Sequence, residues 1–229
     1  MPYTQAFELQ CQHHEQILQG TGHPVVLLVE HDPVITVSRR ATASKNLLAS
    51  PDMLRQLGID VQPTDRGGDV TYHGPGQLVA YPILRLTDLH MNIGAYMRFL
   101  EEVVIQTVAH YGITARRDKA NTGVWVDGQA MNLSPAMTLP PTQPAKLCAM
   151  GIRVRRNITL HGLALNITTN LTHFQTIIPC GLAGYGVTSL QQLLGPKTPS
   201  MAQVKQQFTE IFLRCLDRSL HSINNQKGL

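Results

Sequence analysis

Apolar residues recur at helical spacing in three stretches of the chain. Ala6, Phe7, Leu9, Ile17 and Leu18 predict a first helix over Thr4 to Leu18. Met97, Leu100, Val104 and Val108 form one stripe of a second helix, from about Asn92 to Tyr111, with Asn92 placed to cap it. Met201, Val204, Phe208, Phe212, Cys215 and Leu216 mark a third. It opens near Thr198-Pro199, a capping residue followed by a proline in the first turn. The intervening runs read as strands. HPVVLLVEHDPVITVSRR holds two of them about a turn at His31-Asp32-Pro33, and LVAYPILRL is another. GVWV, KLCAMGIRV, NITL and LALNI follow as short strands separated by turns.

Helix, strands, helix, strands, helix describes an α+β fold, a mixed or antiparallel sheet flanked by helices, more than a βαβ array. LSPAMTLPPTQPA, Leu133 to Ala145, has four prolines in 13 residues and predicts an extended excursion between two strands. It is too short to link domains, so a single domain over residues 1–229 is expected.

Composition narrows the function class. Hydrophobic residues make up 43% and charged ones 15%, a globular balance. The longest aliphatic run, VVLLV, falls far short of the ~20 residues a membrane helix needs. MPYTQAFELQCQHHE lacks a secretory pattern, so a cytoplasmic protein is expected, with no membrane partner. The net charge of +4 is mild. Basic residues cluster at Arg39–Arg40, at Arg116–Arg117 with Lys119, and at Arg153, Arg155 and Arg156, without interleaved aromatics. That pattern argues against nucleic acid and suits an acidic protein partner or an anionic ligand. Cys11, Cys148, Cys180 and Cys215 form no C-x-x-C pair and no zinc-ligand spacing, so thiols and no metal are expected.

Three segments carry candidate chemistry. Cys180, between Pro179 and Gly181, reads either as an exposed nucleophile on a turn or as a small buried filler. Lys146 opens an apolar strand, either to favour a nearby thiolate or as a strand-end lysine reaching solvent. His73 and His161 are alternative bases or structural hydrogen-bonding histidines. RGGDVTYHGPGQ offers bare backbone for an oxyanion, or a bulge and turn between strands. Cys148, Cys215 and Cys11 read as packing residues.

Taken together, RGGDVTYHGPGQLVAYPI, AKLCAMGIRV, HGLALNI, IIPCGL and VTSL, with EHDPVITVSRRA before them, resemble the octanoyl (lipoyl) transferase family of lipoate biosynthesis. The resemblance implies the α+β fold of lipoate and biotin protein ligase catalytic domains. It implies octanoyl transfer from acyl carrier protein to a lysine on lipoyl domains of 2-oxoacid dehydrogenase subunits and the glycine cleavage H protein. Cys180 then matches the acyl-accepting thiol and Lys146 its partner, which lowers the thiol pKa and relays a proton. Arg66, Gly67, Gly68, Asp69, Val70, Thr71, Tyr72 and His73 match one substrate-binding segment. Ala149, Met150 and Gly151 match a second, and Gly162, Leu163 and Ala164 a third. Ala149 stands where some members have serine. The donor carries phosphopantetheine, and the resemblance implies no cofactor, neither ATP nor metal. An ATP-dependent lipoate or biotin ligase is the alternative on this fold; it would not use a cysteine nucleophile.

Overall fold

The computed structural model describes residues 1–40, 43–127, 144–178 and 185–227, with the backbone alone beyond residue 221. Its elements, in chain order, begin with α1 (Tyr3–Gln19), β1 (Val25–Val29), β2 (Val34–Ser38), α2 (Pro51–Gln56) and β3 (Asp60–Thr64). Then come β4 (Val70–His73), β5 (Gln77–Ile83), α3 (Ile93–Ala109), β6 (Arg116–Arg117) and β7 (Val124–Val126). The chain continues through β8 (Ala145–Arg155), β9 (Ile158–Asn166), β10 (Gly186–Val187), α4 (Leu190–Leu194) and α5 (Met201–Lys227). Among the described residues these strands form a seven-stranded sheet in the order β1-β5-β9-β8-β7-β6, with β10 pairing β8, and a three-stranded sheet in the order β3-β2-β4. No helix among them is long and apolar enough to cross a membrane. Most of the proline-rich stretch, residues 133–143 of 133–145, lies outside the described residues.

Strand alternation gives the large sheet two differently covered faces. Leu78, Ala80, Leu163 and Leu165 point to one side, where Leu100, Val104, Phe208 and Phe212 of α3 and α5 complete the main core. Val79, Tyr81, Ile83 and Ala164 point to the other, against Ala6 and Ile17 of α1. The small sheet has its own core, Ile35, Val70 and Tyr72 with Phe174 and Ile177.

Some elements differ from the sequence reading. The turn at His31-Asp32-Pro33 does not close a hairpin. β1 pairs β5 in the large sheet, whereas β2 pairs β3 and β4 in the small one. The turn therefore carries the chain from one sheet to the other. NITL and LALNI are one strand, β9, with His161 in its middle at φ 58. Opposite lies Pro82, which has no N–H to give. The Pro82 carbonyl accepts from Thr159 Oγ1 at 2.7 Å, and the His161 N–H donates to Gln10 Oε1 of α1 at 2.8 Å. Side chains thus take over the bonding where the ladder fails. Asn92 caps α3 as expected, accepting from Ala95 N at 2.8 Å. For α5 the capping side chain is Ser200, not Thr198; its Oγ accepts from Gln203 N at 3.3 Å. Helix α2 and strand β3 are too short to show periodicity; α2 is started by Ser50, whose Oγ accepts from Met53 N at 3.3 Å, with Pro51 in the first turn, and β3 pairs β2.

Candidate functional site

A β-bulge decides where Lys146 points. β8 pairs β7 as Val124↔Cys148, then shifts to Trp125↔Lys146 and Val126↔Ala145. Leu147 and Cys148 consequently both enter the main core, fully buried. The extra residue reverses the parity of the strand. Lys146 is therefore turned to the same face as Ala149 and Gly151. It is 6% exposed, and its ammonium lies 4.6 Å from the centroid of the Trp125 ring.

That face is the floor of an open cleft between α1, β4 and the large sheet. Of the sequence candidates, Arg66, Gly68, Thr71, His73, Ala149, Met150, Gly151, Gly162, Leu163 and Ala164 line it. The alternation of β4 explains two that do not: Thr71 and His73 face the cleft, while Val70 and Tyr72 enter the small core. Asp69 is structural, accepting from Val70 N at 2.8 Å and from Asn46 Nδ2 at 2.9 Å. A smaller recess shares Thr71, Ala149 and Ala164 with the cleft and continues it to Lys146, Gln77, Asn166, Phe174 and Val187. Tyr3, Val79, Tyr81 and His161 complete the far end of the main cleft.

The glycines of RGGDVTYHGPGQ serve the protein's own backbone first. Gly67 N–H donates to Ile152 O at 2.8 Å, which lays the loop across β8. Gly76, at φ 78, donates to Glu30 Oε2 at 2.8 Å. The N–H groups of Gly67, Val70 and Gly76 are thus committed, and the expected supply of oxyanion donors from this segment is smaller than its glycine count suggests. Arg66 fixes the loop from the side: its guanidinium donates to Thr36 O at 3.1 Å, Asp69 O at 3.0 Å and Gly67 O at 3.0 Å.

Buried polar groups form two networks at the walls. Gln77 donates its amide hydrogens to Tyr72 O (3.2 Å) and Asn166 Oδ1 (2.9 Å), so its Oε1 accepts from His73 Nδ1 at 2.7 Å. Asn166 donates onward to Thr188 O at 3.0 Å, and Thr188 N–H to Lys146 O at 3.0 Å. His73 is held neutral: burial, then the neighbouring His31 ring, lowers its pKa to about 3. His161 is also lowered to about 3, by burial and by the Arg66 and Arg153 guanidiniums. Its Nε2–H donates to Asp65 Oδ1 at 2.8 Å, and Asp65 is paired with Arg153, so its charge is already matched. Two neutral rings, each donating one hydrogen bond to a side-chain oxygen, suit wall residues better than general bases at neutral pH.

Cys180 lies outside the described residues. Both flanks of its segment are tied beside Lys146 and the RGG loop. Ile178 N–H donates to Asn46 O at 2.8 Å, and Val187 pairs with Lys146. Cys148 and Cys215 are buried and Cys11 is exposed. Burial pushes the Cys148 thiol well up, against the smaller opposing pull of Lys146. The sequence reading gave no role to Tyr3, Tyr81, Gln77, Asn166 or Trp125. Gln77 ends the glycine-rich string and Trp125 is the only tryptophan, the two signals that could have marked them.

A family model for the lipoyl protein ligase A/B catalytic domain matches residues 2–213, and the chain belongs to that family. Within it, the chain is 44% identical over 215 residues to an octanoyltransferase of Solibacter usitatus, covering 94% of this chain and 89% of that protein. It is 43% identical over 218 residues to an octanoyltransferase of Rubrobacter xylanophilus, with the same coverages. The structure of a lipoate-protein ligase A bound with ATP superposes at a TM-score of 0.67 and 17% identity, covering 96% of this chain and 83% of that one. The fold is therefore shared with the ligases, and the sequence similarity lies with the transferases.

Proposed function

We propose that this protein is an octanoyltransferase that moves an octanoyl group from octanoyl-acyl carrier protein to a lysine of a lipoyl domain, through a thioester on Cys180. The observation that carries the reading is one continuous floor. Ala149 and Ala164 belong both to the cleft and to the recess that ends at Lys146. An acyl chain lying over the paired small residues Ala149↔Ala164 and Gly151↔Gly162 would bring its carbonyl to the lysine end.

The chemistry balances without another reactant. An ammonium on Lys146 favours the Cys180 thiolate. The thiolate adds to the donor carbonyl, a C–S bond forms, and the phosphopantetheine sulfur leaves with a proton from Lys146. The acceptor lysine nitrogen then attacks the octanoyl carbonyl, the C–S bond to Cys180 breaks, and the proton released by nitrogen returns to Lys146. Thioester exchange is nearly balanced and amide formation is downhill, so the reading needs neither ATP nor a metal. Acceptors of this chemistry are the lipoyl domains of 2-oxoacid dehydrogenase subunits and the glycine cleavage H protein, with the cytoplasm as the compartment.

Intact-protein mass spectrometry after mixing with octanoyl-acyl carrier protein tests it. The expected result is an octanoyl adduct that forms without ATP, is lost in Cys180→Ser, and passes to a lipoyl domain. Full transfer by Cys180→Ala, or transfer that requires ATP, would overturn it.

A further inference from the structure

We propose that Trp125 is the positioning residue for Lys146, holding the ammonium over its indole face during acyl transfer. The inference rests on the octanoyltransferase reading and adds a part to it. β7 sets Val124 and Val126 into the main core, so alternation turns Trp125 to the cleft face, directly opposite Lys146 in the register. The bulge at Leu147–Cys148 turns Lys146 to that same face. The ring is fully buried, the lysine nearly so, and 4.6 Å separates Nζ from the ring centroid. A cation within about 6 Å of an aromatic face is attracted by the ring quadrupole, most strongly by tryptophan and more so when water is excluded. The ring face therefore holds the ammonium in place at the lysine end of the cleft.

The surroundings leave the ring little freedom. Its Nε1–H donates to Asn121 O at 3.2 Å, and the Asn121 turn is closed by Asp118 Oδ1, which accepts from Asn121 N at 2.8 Å. Tyr185 meets the ring edge-on at 5.4 Å. The lysine stem is guided as well. A Cβ on Gly123, at φ 126, would lie 3.4 Å from Lys146 Cε and 2.6 Å from the Cys148 carbonyl oxygen. Glycine there leaves room for the methylenes to pass under the strand. An ordinary aliphatic residue at position 125 would fill the space but present no π face to the ammonium.

Because Trp125 is the only tryptophan, growth on fluorinated tryptophans alters this one ring and nothing else in the protein. Each fluorine weakens the negative face while nearly preserving shape. The rate of octanoyl-adduct formation should fall stepwise from the unlabelled protein through mono- to multiply fluorinated forms, by about tenfold in all, with KM and Tm unchanged. Trp125→Phe should retain more activity than Trp125→Leu at equal Tm. Separately, with no acyl donor present, the 19F resonance of 5-fluorotryptophan should move on Lys146→Met, which reports the contact itself. An adduct that forms at a rate indifferent to fluorination, or a 19F resonance indifferent to Lys146→Met, overturns the positioning role while the transferase reading stands. If unlabelled protein forms no adduct, the transferase reading fails first and the role falls with it.

Discussion

The carbonyl oxygen of Gly67 rests on Gly151 so closely that a Cβ at residue 151 would lie 2.4 Å from it. The glycine-rich loop and strand β8 are thereby locked together, with Gly67 N–H bonded to Ile152 O. Gly162 makes the matching approach on the other side, where a Cβ would lie 2.1 Å from Ala80 O. The floor of the cleft is flat because backbone fills the space beside it.

Gly151→Ala should therefore push the loop off the strand. The expected cost is about 1–3 kcal/mol of stability, with a rise in KM for the acyl donor. Urea denaturation and steady-state kinetics check both; an unchanged midpoint and KM would show that the loop can shift without consequence.

Gln77 should matter out of proportion to its chemistry. It is 1% exposed and bonds His73, the Tyr72 carbonyl and Asn166 at once. Gln77→Leu leaves those partners buried and unsatisfied, for an expected loss of about 2–4 kcal/mol. A variant as stable as the parent would mean that the network relaxes or admits water.

Acid should destabilise the fold through its wall histidines. His73 and His161 take up protons only near pH 3 when folded, against about 6.5 when unfolded. The unfolded chain binds more protons between those values, so their contribution is intact above pH 6.5 and is lost as the pH falls toward 3. Stability should fall over that range by on the order of 5 kcal/mol per histidine at most, and Tm should decline with it. His161→Asn keeps a residue that tolerates the positive φ and should decline less steeply than the parent. Parallel curves would assign the acid sensitivity to other groups.

The three described thiols should react in a fixed order. Cys11 is exposed, and Cys148 and Cys215 are buried. In the native protein, alkylation mapped by peptide mass spectrometry should mark Cys11 and leave the other two until denaturant is added. Cys148→Ala should cost about 1 kcal/mol and keep acyl transfer, since that thiol packs in the main core. Loss of the octanoyl adduct in Cys148→Ala would move the acceptor away from Cys180.

Much of the fold was legible because local periodicity and global packing agree. The stripes Leu100–Val104–Val108 and Val204–Phe208–Phe212 are buried as their spacing requires. The residues of β4, β8 and β9 that line the cleft sit inside segments recognisable from the string RGGDVTYHGPGQ and its companions. Other features depended on contacts distant in sequence. Whether the His31-Asp32-Pro33 turn closes a hairpin depends on which strands bid for β1 and β2. Pro82 disturbs a strand it faces only after folding. Above all, a strand's alternation reads from sequence only if it is unbroken. The extra residue at Leu147–Cys148 reverses it, and that reversal brings Lys146 to the cleft and its ammonium onto Trp125. The sequence by itself determined the three long helices, most of the strand segments, the family and the motif residues, since these follow from local pattern. The tertiary structure decided the faces, because bulges and sheet partners are settled only when the strands meet.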